Sequence, residues 1–184
     1  PLVEFLTAIA FAGAFIYHGW SFYLLEHIIF IYCLIIVSFI DFDHMILPDT
    51  FTLSGIVIGL LGSWINPGRN ILDSVYGVLM GGGFLWAIAY VYFLLRKQEG
   101  MGGGDIKLLA WIGAVLGWQA IPFVVLSSSL FGSIVGLAVG LKTKGGMQTV
   151  IPFGPYLALS AVLYIFGGYN IGLWYLNLFL PGIH

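Results

Sequence analysis

The chain is a succession of apolar runs separated by short breaks of Gly, Pro or charge, and the runs fall near residues 2 to 17, 24 to 41, 51 to 65, 71 to 95, 106 to 117, 120 to 141 and 151 to 180. A helix needs about 20 predominantly apolar residues to cross a bilayer, so 184 residues divide into six to eight spans with short loops. The expected fold is therefore all-α, a polytopic transmembrane helical bundle of about seven spans, forming one membrane-embedded domain over residues 1–184. The run from Ile106 to Leu116 is short for a full span. The last run carries Gly167, Gly168 and Gly172, so it is expected as one long helix or two short ones.

Composition excludes the soluble alternative. The chain is 60% hydrophobic and 8% charged, with a mean hydropathy of +1.05, whereas a soluble domain carries roughly 25% charged residues. Its 26 glycines are interleaved with Leu, Ile and Val without a triplet period, which fits close helix packing in a membrane better than a linker or collagen. The net charge of -2 and the lack of a basic block give no reason to expect nucleic acid as a partner. Cys33 is the only cysteine, so neither an internal disulfide nor a thiolate zinc site is available. Because the chain begins at Pro1 rather than Met, it is expected to be a processed or truncated product.

Successive spans alternate sides, and Lys and Arg concentrate in cytoplasmic loops. The loops Asp41 to Thr50, Arg96 to Asp105 and Lys142 to Thr149 fall on one side, which then holds Arg96, Lys97, Lys107, Lys142 and Lys144 and leaves Arg69 opposite. That side is expected to be cytoplasmic, with Asp41 and Asp105 near the same membrane face. Trp20, Trp64 and Trp118 fall near the other face, as an interfacial aromatic belt would.

Of five aspartates, three lie in Asp41-Phe42-Asp43-His44-Met45-Ile46-Leu47-Pro48-Asp49, and Asp105 closes Gly102-Gly103-Gly104-Asp105 ahead of Ile106-Lys107. Ionisable groups at membrane depth are costly and mark function by default. Peptide hydrolysis by a carboxylate pair needs one carboxylate to activate water and one protonated acid to serve the carbonyl oxygen, and a poorly hydrated membrane edge favours sharing one proton. Asp41 and Asp105 arise from separate helices and can converge. Asp43, about 200° round a helix from Asp41, cannot face the same partner if the helix continues.

Asp49 follows Pro48, which ends any helix before it. Asp43 and Asp49 are left with helix-capping or substrate-positioning roles. Glycines beside Asp105 allow close approach and conformations denied to other residues. Lys107 either tunes Asp105 or is an ordinary basic residue at a cytoplasmic helix end. His44 is expected as a solvated loop residue rather than a proton relay or metal ligand. No metal is expected at Asp41, Asp43, His44 and Asp49, whose spacing matches no recognised ligand loop. Gly81-Gly82-Gly83 and Gly145-Gly146 are expected to serve packing and turns, since no strand precedes them as a phosphate-binding loop requires.

With these motifs in hand, the chain resembles the bacterial type IV prepilin peptidases, membrane aspartyl proteases of the Gly-x-Gly-Asp kind. The resemblance rests on Asp41 to Asp49 followed by Gly102-Gly-Gly-Asp-Ile-Lys107, on Pro1-Leu-Val-Glu4, and on Pro152-Phe-Gly-Pro155-Tyr-Leu-Ala-Leu159, and so covers nearly the whole chain. It implies an aspartic-type endopeptidase in the bacterial inner membrane, multi-pass, with its active site toward the cytoplasm. Such an enzyme removes the short basic leader from prepilins and pseudopilins, just before the substrate's apolar segment, in type IV pilus or type II secretion systems. The implied catalytic residues are Asp41 and Asp105, with Gly102, Gly104, Lys107, Asp43, Pro48 and Asp49 as the supporting motif.

The implied partners are a prepilin or pseudopilin and the lipid bilayer. Full-length members also carry a domain with two Cys-x-x-Cys pairs, associated with zinc and with N-methylation by S-adenosylmethionine. Those cysteines are not in this sequence, so the expectation here is the peptidase core without a cofactor. Two other readings compete: a proton- or cation-coupled transporter or channel, which would place acids near mid-span or along a pore, and a protease of the presenilin or signal-peptide-peptidase kind. Glu26, Asp73 and Glu99 are contacts for a basic leader by charge alone.

Overall fold

A computed structural model of the chain describes residues 1–66, 69–98, 101–142 and 151–168. Within them the chain is helical, with no strand: α1 (Leu2–His18), α2 (Phe22–His44), α3 (Asp49–Ile65), α4 (Ile71–Arg96), α5 (Gly103–Leu116), α6 (Ala120–Lys142) and α7 (Gly154–Leu163). The first six match the apolar runs to within a few residues. Three of the described helices, α2, α4 and α6, are each long and apolar enough to cross a membrane; α1 and α3, at 17 residues, are shorter apolar helices.

Only 11% of the apolar window of α4, and of α6, is buried within the protein. Residues such as Leu95 and Leu141, 77% and 83% exposed, would have no place on a water-facing surface. This outward hydrophobicity belongs to a helical membrane bundle, in which lipid covers the long helices.

The core sits on the opposite kind of helix. α5 is only 14 residues long, and every residue from Leu108 to Val115 is buried. It packs most extensively against α4 and then α3, with α7 and α6 also in contact. The sequence accounts for this through small residues at helical spacing. On α4, a side chain on Gly77 would strike the Gly113 carbonyl of α5, and Gly113 meets the Gly77 carbonyl in return. One turn along, a Cβ on Gly81 would come within 2.6 Å of the Leu109 oxygen.

On α3, Gly55 lies under the Trp111 ring, and a Cβ on Gly59 would meet Ala114 and Val115 at 3.0 Å. Two stripes of the form Gly-x-x-x-Gly thus clasp α5 from both sides. In a membrane, where no hydrophobic effect separates protein from lipid tails, such close approach supplies the van der Waals contact that holds helices together. Gly82 also faces α5, toward Ala110, whereas Gly83 faces open space.

The last run does not continue as a single helix. After α7 the chain makes a wider turn over Tyr164–Gly168, where Gly167 takes φ 138, a conformation that breaks the helix. Residues beyond Gly168, including Gly172, lie outside the described residues, as do Glu99, Lys144 and Gly145-Gly146.

Candidate active site

α2 carries Asp41 in its last turn. The helix is closed by Met45 in the left-handed conformation (φ 53), whose N–H donates to the Asp41 carbonyl at 2.8 Å. Ile46 and Leu47 then lead to Pro48, which starts α3 at the next residue. Because α2 continues to His44, Asp41 and Asp43 separate as helical geometry requires: Asp41 is 5% exposed, while Asp43 lies on the exposed side. His44 and Asp49 are exposed as well, His44 as the final residue of α2.

Asp105 stands in the first turn of α5 and is half-buried. The expected special backbone at the neighbouring glycines is not observed: Gly102 has φ -68, and the positive-φ glycines among the described residues are Gly19, Gly117 and Gly167. Gly104 alone of the triplet serves close approach, since a Cβ on Gly102 or Gly103 would meet nothing within 4 Å. A Cβ on Gly104 would come within 2.7 Å of Leu47, so the lack of a side chain there lets α5 settle against the α2–α3 loop.

Leu47 also lies against Gly154 at the start of α7, so the ends of α2, α5 and α7 meet around it. This convergence places the α2 end that carries Asp41 and the first turn of α5 that carries Asp105 at one end of the bundle. Among the described residues neither carboxylate has an ion-pair partner.

Lys107, by contrast, is not the partner of Asp105. It donates to Asp49 Oδ1 at 2.6 Å, an exposed pair that ties the start of α5 to the start of α3. Gly102 is exposed at the N-cap of α5, and Pro48 is half-buried at the N-cap of α3. Gly154 was noticed only as part of a family-like stretch. Its N–H donates to Asp41 Oδ2 at 3.1 Å, a backbone contact that no side-chain pattern announces. No group of three or more His, Cys, Asp or Glu side chains gathers as a metal site among the described residues.

The arrangement brings two carboxylates from different helices to one end of the bundle, around the buried Leu47. The description "Type IV leader peptidase family" fits residues 28–137, a segment that contains both aspartates. The chain belongs to that family. It is 40% identical to a "Prepilin leader peptidase/N-methyltransferase" of Aeromonas hydrophila over 186 residues, covering 98% of this chain and 62% of the relative.

Relatives bearing the same name in Pseudomonas aeruginosa and Legionella pneumophila are 35% and 37% identical, over 96% of this chain and 61% and 62% of their own lengths. The chain thus spans about three fifths of the curated relatives it matches. No solved structure matches it. Family membership and the outward apolar helices agree that this is a membrane protein.

Proposed function

We propose that the chain is a membrane aspartic endopeptidase that removes the short basic leader from type IV prepilins and pseudopilins, with Asp41 and Asp105 as the catalytic pair. The observation that carries this reading is that the end of α2 bearing Asp41 and the first turn of α5 bearing Asp105 converge on Leu47, with no ion-pair partner for either carboxylate among the described residues. The pair shares one proton. The ionised carboxylate takes a proton from water as the oxygen attacks the scissile carbonyl carbon, and the protonated partner donates to the carbonyl oxygen. Collapse of the tetrahedral intermediate breaks the C–N bond, and the leaving amine takes a proton from the pair.

Gly104 lets α5 settle against Leu47, Gly102 and Pro48 stand at the N-caps of α5 and α3, and Asp49 and Lys107 fasten α3 to α5. The side bearing Arg96, Lys97, Lys107 and Lys142 faces the cytoplasm, and the membrane is the bacterial inner membrane. The names of the relatives support the prepilin substrate.

Nothing favours the transporter reading: both acids lie at helix ends rather than at mid-span, and the relatives are named as peptidases. N-methyltransferase also stands in those names, but the one cysteine of these residues, Cys33, lies within α2 and cannot supply two Cys-x-x-Cys pairs. The residues do not fit that zinc-bearing group, and no methyl-transfer step is assigned to them.

The test is cleavage of a leader-bearing prepilin by the purified protein and by Asp41→Asn, Asp105→Asn and Asp43→Asn. Loss in the first two variants with folding intact, and retention in the third, is the expected result. Unchanged cleavage in either of the first two rejects the pairing, and an inactive wild type across several prepilins rejects the peptidase reading.

A further inference from the structure

The stretch Pro152-Phe153-Gly154-Pro155 has no role in the chemistry above, yet it touches Asp41 directly. The first turn of a helix leaves its N–H groups without intrahelical partners. In α7 most of them are settled locally: Tyr156 and Leu157 donate to the Phe153 carbonyl at 3.1 and 3.2 Å, and Pro155 has no N–H. Phe153, at the N-cap, offers no side-chain acceptor. One donor remains, the N–H of Gly154, and the buried Asp41 Oδ2 from the end of α2 accepts it at 3.1 Å, across 113 residues.

Only glycine fits there. A Cβ on residue 154 would stand 2.6 Å from Asp41 Oδ2, 3.3 Å from its Cγ and 3.2 Å from Leu47 Cδ2.

We infer that Gly154 is a positioning residue for the aspartate pair: its N–H fixes Asp41 Oδ2 as an acceptor and leaves Oδ1 as the oxygen that exchanges the shared proton. An oxygen that receives an N–H along its lone pair does not also carry the acid proton in that direction. The carboxyl group is thereby held in one rotation, with its free oxygen available to Asp105 and water. A sequence that places a non-capping residue, a glycine and a proline at the start of α7 thus assigns the aspartate of α2 as its cap.

The kinetic arm of the test rests on the peptidase reading; the spectroscopic arm does not. In the kinetic arm, Gly154→Ala is compared with Gly132→Ala, whose methyl would meet Tyr156 and Phe153 only at ordinary distances of 3.6 and 3.7 Å. The expected result is a fall in kcat of about 10²-fold for Gly154→Ala, as a displaced catalytic group produces, with KM unchanged and Gly132→Ala like wild type. In the spectroscopic arm, glycine-selective ¹⁵N labelling of the detergent-solubilised chain follows the Gly154 amide with pH. The resonance is expected to move in the wild type and to stay still in Asp41→Asn.

Wild-type kcat in a folded Gly154→Ala protein overturns the inference. An amide shift that is the same in the wild type and Asp41→Asn at every pH also overturns it, even if Gly154→Ala does not fold. A wild type that cuts no prepilin but shows the Asp41-dependent amide shift rejects the peptidase reading while leaving the positioning contact in place.

Discussion

The two ends of the bundle hold charge in opposite ways. At the end where α3 meets α4, Arg69 is enclosed: it donates to Glu26 Oε1 and to the Gly59 carbonyl, each at 2.7 Å, and to the Val115 carbonyl. Asp73 there accepts from the Trp118 indole at 3.1 Å. These contacts connect four helices, and the charges of Arg69 and Glu26 cancel. At the other end, among the described residues, Asp41 has one backbone donor and Asp105 no cation, Lys107, two residues away in sequence, being bound to Asp49.

A buried charge given its counter-ion fastens a structure. Two carboxylates left without counter-ions at one end do not, and such an arrangement is found where chemistry needs it. The contrast separates Glu26 and Asp73 from the acids of the site: both are engaged in bundle contacts at the far end and are not available to a leader at Asp41.

The comparison can be broken by exchanging activity against stability. Asp105→Asn is expected to lower kcat for prepilin cleavage by about 10²–10⁴-fold, as loss of a positioned proton donor or acceptor does, while the melting temperature in detergent holds or rises. An unchanged rate would mean that the unpaired end is merely tolerated.

The complementary variant, Arg69→Ala, leaves the Glu26 carboxylate without its counter-ion and two carbonyls without a donor. It is expected to destabilise the fold by about 3–5 kcal/mol, measured by steric-trapping or denaturant unfolding, with turnover per folded molecule retained. A fall in turnover with full stability would assign Arg69 to the site instead.

A third variant probes the seam between the ends. Gly77→Ala places a methyl against the Gly113 carbonyl, and separating α4 from α5 is expected to cost about 1–3 kcal/mol, as overpacking does. Wild-type stability would show that the two backbones can part at no cost. The smallest effect belongs to Lys107→Met, which removes an exposed ion pair worth no more than about 1 kcal/mol. The kcat is expected to stay near wild type, and a large loss would restore Lys107 as a partner of Asp105.

Much of this molecule is legible from residue order alone, because apolar length, Gly and Pro punctuation and helical angle are local properties. They place α1 to α6 to within a few residues and separate Asp41 from Asp43. That Asp41 and Asp105 stand at the same end of the bundle is also legible, from the alternation of spans. What joins distant residues is not. Lys107 reaches Asp49 across 58 residues, and Trp118 is tied to Asp73 rather than lying free with Trp20 and Trp64, which are 91% and 77% exposed.

The glycine stripes announced close approach but not their partner, for Gly55 and Gly77 look alike until α5 is seen between them. Gly154 is least legible of all. Its contribution is a main-chain N–H, which every residue except proline has, and its significance lies wholly in what stands opposite.

The shortness of α5 has a consequence for the membrane itself. At 14 residues and about 1.5 Å per residue it is about 21 Å long, whereas the hydrocarbon layer is about 30 Å thick. Centred in that layer, its ends lie about 4–5 Å below either boundary, a depth that follows from the same two lengths. Asp105, on its first turn, would then sit at the bottom of a shallow well whose walls are the longer helices and whose rim is made of lipid headgroups. On the proposed function, water and substrate would descend to it, and the thickness of the surrounding lipid would become part of the geometry of the reaction.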